Sequence, residues 1–313
     1  MDISNTLKEK AIAVLIPCYN EAITIANVIE SFRKELPHSM IYVFDNNSTD
    51  KTAEIAHEYG ATVIRETKQG KGNVVRAMFQ KIQAEIYILV DGDATYPAHT
   101  VKDMIMPVAS REVDMVVGNR MAKGVYHVEN KRPFHSLGNR LVIWLVNTIF
   151  KSELSDIMSG YRVFSKRFVK TIPLLSPGFE VETEITLHAL DKKLKIREID
   201  IDYRDRPQDS HSKLSTFSDG FKVLKTIFFV FKNYKPFAFF SLLSALLAIA
   251  GFAIGLPPII EYFQYQYVYK VPSAVLAASL EVLAVLLFTC GLILDTVARQ
   301  HKEIFEIHYK NQS

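Results

Sequence analysis

The sequence predicts an α/β domain with an open, mainly parallel sheet, followed by an interfacial amphipathic helix and a two-helix membrane hairpin. Three observations predict it. Short apolar runs alternate with amphipathic stretches through the first part of the chain. Polar clusters rich in Asp and Asn follow three of those runs directly. The last quarter of the 313-residue chain holds two long runs almost without charge.

Residues 11–17 (AIAVLIP) are apolar up to Pro17, the mark of a buried parallel strand, and lack the basic flank of a targeting segment. Residues 21–36 then place Ile25, Val28, Ile29 and Phe32 on one face of a helix. A second strand at 40–44 leads into the polar turn 45–50 and a helix through Tyr59. Residues 61–64 give a third strand, 71–84 a helix and 86–90 a fourth strand. Ligands of such sheets sit at the carboxyl ends of the strands. Tyr19-Asn20-Glu21, Asp45-Asn46-Asn47 and Asp91-Gly92-Asp93 all fall there. No GxGxxG fingerprint follows the first strand, which argues against a dehydrogenase. Asp91 and Asp93, in alternate positions past a buried strand, are candidate ligands for a divalent ion shared with a diphosphate. Oxygen donors of this kind suit Mg²⁺ or Mn²⁺. Lys71 opens a helix after Gly70, where a cation and a helix N-terminus together attract phosphate.

Residues 237–260 carry no charge, and 271–294 carry only Glu281. At 1.5 Å per residue each 24-residue run reaches about 36 Å, beyond the ~30 Å hydrocarbon core. The stretch between them, EYFQYQYVYK, is rich in the tyrosines that favour a headgroup interface. Lys222, Lys225, Lys232 and Lys235 precede the first span, and Arg299, Lys302 and Lys310 follow the second, against Lys270 alone in the loop. This asymmetry predicts a multi-pass protein of the cell (inner or plasma) membrane, with the N-terminal domain and the C-terminal tail cytoplasmic. Glu281 is costly at mid-membrane, so it is expected to face the companion helix or a neighbouring subunit, or to be protonated; a homo-oligomer is left open. Residues 215–234 interleave Phe217, Phe221, Leu224, Ile227, Phe228 and Phe231 with lysines, the pattern of a helix lying on an anionic membrane surface. The expected organisation is therefore a cytosolic domain at 1–214, a juxtamembrane helix at 215–235, two spans within 236–296 and a tail at 297–313. Cys18 and Cys290 are the only cysteines, so no disulfide framework is available. The net charge of +3 is small, and no nucleic-acid partner is expected.

Several short motifs occur in a fixed order. They are Ile16-Pro17-Cys18-Tyr19-Asn20-Glu21, Asp45-Asn46-Asn47-Ser48-Thr49-Asp50, Gly70-Lys71-Gly72 and Asp91-Gly92-Asp93. Ser155-Asp156 with Ser159-Gly160-Tyr161-Arg162, and Tyr203-Arg204-Asp205-Arg206 with Ser212-Lys213-Leu214, complete the set. Followed by a two-helix hairpin, this set resembles family 2 glycosyltransferases of the GT-A fold, and among them the dolichyl-phosphate mannose synthase-like and bactoprenol glucosyltransferase-like group.

The resemblance implies an inverting hexosyltransferase that moves a sugar from a nucleotide-sugar donor to a polyprenyl phosphate carrier such as undecaprenyl phosphate, for cell-envelope glycan assembly. It implies that Pro17, Tyr19 and Glu21 line the nucleoside pocket, that Asp45 and Asn46 lie near the base, and that Lys71 and Asp91 contact the donor. Many relatives carry Asp-Asp where this chain has Asp45-Asn46, and Leu-Gln where it has Ala94-Thr95. Asp91 and Asp93 resemble the metal and ribose ligands. Arg120, Arg132 and Ser136 resemble positions that hold the lipid phosphate, and Arg206 and Lys213 are placed to close over the donor diphosphate or grip the acceptor. Asp156 is the first candidate for a base or an orienting carboxylate, Glu182 the second. Other readings are a family 2 enzyme with a different lipid or polysaccharide acceptor, and a membrane-tethered nucleotide-sugar binder without turnover. Trp144, the only tryptophan, lies in no Gln-x-x-Arg-Trp motif of the kind processive synthases carry.

Overall fold

The computed structural model describes residues 10–121, 133–178, 180–203 and 228–310. They form two compact units, an α/β unit and a helical hairpin.

The α/β unit runs β1 (Ile12–Cys18), α1 (Ile25–Glu35), β2 (Met40–Asp45), α2 (Thr52–Glu58), β3 (Thr62–Arg65), α3 (Lys71–Lys81) and β4 (Ile86–Leu89). It continues through α4 (Val101–Ala109), β5 (Met115–Asn119), α5 (Pro133–Phe150), β6 (Arg162–Ser165), α6 (Lys166–Thr171), α7 (Val181–Asp191) and β7 (Ile196–Asp200). The seven strands make one sheet in the order β3-β2-β1-β4-β6-β5-β7. Only β6 runs against its neighbours, β4 on one side and β5 on the other. The other pairings are parallel, so β1, β2, β4 and β5 all end at one rim. β6 begins at that rim, with Arg162 opposite both Leu89 and Val117. The segment entering β6 therefore meets the segments leaving the parallel strands.

β4 is buried along its whole length and β1 nearly so, as strands covered on both faces must be. α1 buries the four residues expected from its spacing, Ile25, Val28, Ile29 and Phe32. It starts four residues later than the helical pattern. The N–H groups of Glu21 and Ala22 donate instead to Thr52 Oγ1 and Asp50 Oδ2, which holds residues 21–24 as a turn.

The second unit contains α8 (Pro236–Tyr265) and α9 (Val271–Lys310) as far as Ile307, both long and apolar enough to cross a membrane. Each outlasts its expected span, α8 into the tyrosine-rich stretch and α9 into the charged tail. Ser244, Gly251 and Pro258 are the buried positions along the middle of α8, and Ala277, Ala284 and Gly291 those of α9. Both series have a seven-residue spacing, the repeat that keeps one seam facing a partner helix. Small side chains there let the backbones approach. Ser244 Oγ donates to the Ala284 carbonyl at 2.7 Å. A Cβ added at Gly251 would lie 2.7 Å from Glu281 Oε1, so the Glu281 carboxylate packs against the companion helix. Residues 228–234 are helical, and the rest of the expected juxtamembrane helix lies outside the described residues.

Candidate active site

The loops after β1 and β2 are stitched into one platform. Asn20 takes a left-handed conformation (φ 56°), and its Oδ1 accepts from the Thr49 N–H at 2.8 Å. Its own N–H donates to Ser48 Oγ at 2.9 Å. Burial raises the Asp50 carboxyl, but hydrogen bonds from the Thr52 hydroxyl and from the Thr52 and Ala22 amides outweigh it and hold the group below its ordinary range. Pro17, Tyr19, Glu21 and Asp45 all sit on this platform, Tyr19 the most exposed of them and Asp45 buried.

Asn46 turns away from the open side. Its Nδ2 donates to the Glu66 and Lys68 carbonyls, both at 2.9 Å, and its Oδ1 accepts from the Gly70 N–H at 2.8 Å. The side chain thus clamps the 66–70 loop, and an aspartate could not make the two donations. Asn46→Asp is expected to lower stability by about 1–2 kcal/mol, because two part-buried carbonyls would then face a carboxylate. Chemical denaturation together with amide exchange at Gly70 would check this; unchanged stability and protection would show the clamp to be idle.

The clamp leads into α3. Gly70 lies at φ 122°, and Cβ atoms at Gly70 and Gly72 would collide with the Pro177 and Ser176 carbonyl oxygens. The Gly72 and Asn73 N–H groups both donate to the Pro177 carbonyl, at 3.0 and 3.3 Å. These two helix-terminal donors are therefore already satisfied within the protein. Glu184 holds the same crossing loop by accepting from the Leu175 and Ser176 N–H groups at 2.9 Å.

What α3 presents to the rim is the Lys71 ammonium. It lies 2.6 Å from Asp91 Oδ1 and 2.5 Å from Glu182 Oε1. Burial lowers its pKa, but the Asp91 and Glu182 carboxylates outweigh that and hold it above the ordinary lysine range. Asp91 also rests on Gly160, where an added Cβ would come 2.5 Å from Asp91 Oδ2. Asp93 is 3% exposed, and its Oδ1 accepts from the Thr95 hydroxyl at 2.6 Å and the Thr95 N–H at 3.2 Å. The turn itself is fixed by the Thr24 hydroxyl, which donates to the Gly92 carbonyl at 2.7 Å.

Across Gly160 lies a second charged pair. Arg120, just past β5, donates from Nε to Asp156 Oδ2 at 2.7 Å and from Nη2 to Asp156 Oδ1 at 3.0 Å. Its backbone N–H adds a third bond, to Oδ2 at 3.2 Å. Asp156 is 1% exposed. Burial raises its pKa, yet the Arg120 charge and hydrogen bonds bring it below the ordinary carboxylate range. With both oxygens engaged, Asp156 is arranged to orient Arg120 rather than to take up a proton. Tyr96 joins the two pairs, because its hydroxyl accepts from the Gly160 N–H at 2.9 Å and lies 3.5 Å from Arg120 Nη1. The Tyr203 ring lies 5.6 Å from the Arg120 guanidinium carbon.

Residues that the motif reading did not assign hold this loop. Fully buried Arg162 donates to the Ser159 and Ile157 carbonyls and to Thr186 Oγ1. Burial lowers its pKa to about 10. Glu198 accepts from the Ser155 and Asp156 N–H groups. Arg162 closes the Ser159-Gly160-Tyr161-Arg162 motif, which did not say what it holds; Tyr96 and Glu198 lie in no motif, although the alternation in β7 marks Glu198 as facing a layer.

The structure thus brings Lys71, Asp91, Glu182, Arg120 and Asp156 into one connected site, with Asp93 on the same turn as Asp91. Arg132, Arg206 and Lys213 lie outside the described residues; Ser136 falls in α5, and its side chain is outside the description as well. Among the described residues no three His, Cys, Asp or Glu side chains gather as a metal site. Asp91 and Asp93 nevertheless offer the oxygen donors that a hard divalent ion takes, commonly one or two carboxylates completed by substrate phosphates and water.

Comparison with known proteins agrees with this architecture. Glycosyltransferase AglJ of Haloferax volcanii is 30% identical over 303 residues, covering 94% of this chain and 95% of its own. The dolichyl-phosphate hexose transferase of the same organism is 26% identical over 216 residues, covering 69% and 92%. A crystal structure of glucosyl-3-phosphoglycerate synthase from Mycobacterium tuberculosis superposes with a TM-score of 0.58 at 20% identity, covering 74% of this chain and 85% of that one. That likeness shows the GT-A fold. Residues 13–172 match Glycosyl transferase family 2, and the chain belongs to that family.

Proposed function

We propose that this glycosyltransferase moves a hexose from a nucleotide-sugar to a polyprenyl phosphate at the cytoplasmic face of a membrane, with inversion at the anomeric carbon. The observation that carries the reading is the Asp91-Gly92-Asp93 turn at the strand-end rim of a family 2 domain that also carries a two-helix apolar hairpin. The name of the dolichyl-phosphate hexose transferase relative supports a lipid-phosphate acceptor. The mycobacterial synthase has been crystallised with Mn²⁺ and UDP-glucose, which supports a metal-assisted nucleotide-sugar site.

In this reading the nucleoside lies over Pro17, Tyr19, Glu21 and Asp45, with Asn46 shaping the pocket through the 66–70 loop. Asp91 and Asp93 would hold Mg²⁺ or Mn²⁺, which when bound neutralises charge on the leaving nucleoside diphosphate. The acceptor phosphate is already an anion near neutral pH, so no strong base is needed. Asp156 then holds Arg120 in the orientation that meets an acceptor phosphate oxygen, and positioning and charge stabilisation do the rest. Arg132, Ser136, Arg206 and Lys213 are proposed as further phosphate contacts. Both spans return the tail to the cytoplasm, and the hairpin holds the reaction at headgroup level.

The test offers membranes bearing the full chain a panel of radiolabelled UDP- and GDP-sugars with undecaprenyl phosphate, free polyprenol or diacylglycerol. Label should enter lipid only with the phosphate, and from one nucleotide class. Equal use of the uncharged alcohol, or transfer to diacylglycerol alone, would replace this acceptor with another.

A further inference from the structure

The Lys71 ammonium lies 2.6 Å from Asp91 Oδ1, one of the two carboxylates suited to a divalent ion. It is also 2.5 Å from Glu182 Oε1, on a different element of the fold. Its side chain is 11% exposed, and that of Glu182 6%. The backbone that delivers it is fixed, since Gly70 is held by Asn46 and the next amides by Pro177. We propose that Lys71 is a removable counter-ion: it satisfies Asp91 in the empty enzyme and makes metal uptake there conditional on the nucleoside diphosphate. This rests on the donor-site reading given above.

The physical reasoning concerns like charges. Mg²⁺ bonds a carboxylate oxygen at about 2.0–2.1 Å, and an ammonium already on that oxygen opposes it. The ion arriving alone must displace a desolvated cation that Glu182 also holds in place. A diphosphate arriving with the ion changes this, because its oxygens offer the ammonium a new partner a short swing away. Glu182 stays beside Lys71 throughout and limits that swing. Lys71 is thus a positioning residue whose effect is a coupling between two ligands. Such coupling is reciprocal, so the metal must strengthen nucleotide binding by the same factor.

Mn²⁺ binding to the detergent-solubilised full chain, followed by electron paramagnetic resonance with and without UDP or GDP, tests the idea without turnover. Wild type should bind Mn²⁺ at least about tenfold more tightly with the matching nucleotide than without it. Lys71→Met should bind Mn²⁺ at least about tenfold more tightly than wild type when nucleotide is absent, and most of the nucleotide dependence should vanish. Lys71→Gln, which keeps a hydrogen-bonding side chain but no charge, should behave likewise if the methionine variant does not fold. Lys71→Arg should retain the wild-type dependence. Neutral variants that bind Mn²⁺ no better than wild type without nucleotide would overturn the proposal. A wild type that takes up no Mn²⁺ under any condition would instead overturn the donor-site reading itself.

Discussion

Arg120→Ala is expected to destabilise the α/β unit by about 3–5 kcal/mol, because it leaves the Asp156 carboxylate buried without its counter-charge. Both guanidinium hydrogen bonds disappear at once, and only the residue-120 and Met158 backbone N–H groups remain as partners, each at 3.2 Å. The pH dependence should invert in sign. In wild type the Asp156 pKa is depressed, so its contribution is present above the ordinary carboxylate range and is lost as pH falls through the lower folded value. Without the guanidinium the same burial, the largest of the causes, is opposed only by the residue-120 and Met158 N–H groups and is expected to raise the folded pKa above the unfolded one. The deficit should then be largest at neutral pH and shrink as the solution is acidified towards pH ~4. Thermal melts of the detergent-solubilised chain between neutral and acid pH would measure this. A deficit that stays constant with pH would show that Asp156 is not the group left unpaired. Acceptor transfer should be lost under all these conditions.

Asp93→Ala is expected to reduce transfer by about a thousandfold or more, since a metal ion contributes several kcal/mol of charge stabilisation at a developing diphosphate. Stability should fall by only about 1–2 kcal/mol, the cost of leaving the Thr95 hydroxyl and amide without their acceptor. Initial rates with labelled donor, set beside a melting curve, separate the two effects. Excess chelator should reproduce the loss in the wild-type enzyme. Full activity in chelator would remove the metal from the reading and leave Asp93 as a brace for Thr95.

The parts of this molecule visible in the sequence are those whose signal is local. The apolar run before Cys18, the period of Ile25 to Phe32 and the two charge-poor spans each carry their own evidence within a few turns of chain. The three-residue turn at Asp91 was legible because a buried strand precedes it. The strands beyond it were harder to see. β6 has four residues and sits in space between β4 and β5, so chain order does not give sheet order. The inward clamp of Asn46 was also hidden, since residue type cannot say which way an amide faces. Arg162 is a stronger case: an arginine opening a short strand suggests an exposed edge, and the carbonyls of Ile157 and Ser159 with the Thr186 hydroxyl make its complete burial tolerable. The helix N-terminus at Lys71 looked open to phosphate because nothing local announces that Pro177, about a hundred residues away, caps it.

The reversed direction of β6 bears on how such an enzyme can diversify. Its inbound loop, residues 155–161, reaches the rim on the far side of β4 from the β1–β2 platform. The half proposed to hold the nucleotide and the half that presents Arg120 are thus built from separate stretches of chain, joined at the rim chiefly by Tyr96 and by the rest of Asp91 on Gly160. Substitutions in the inbound loop can accumulate without disturbing the Asn20–Ser48 and Asn46–Gly70 hydrogen bonds. On the proposed function, a lineage can exchange one acceptor for another while keeping its sugar source, so long as Asp156 and Gly160 keep their contacts with Arg120 and Asp91.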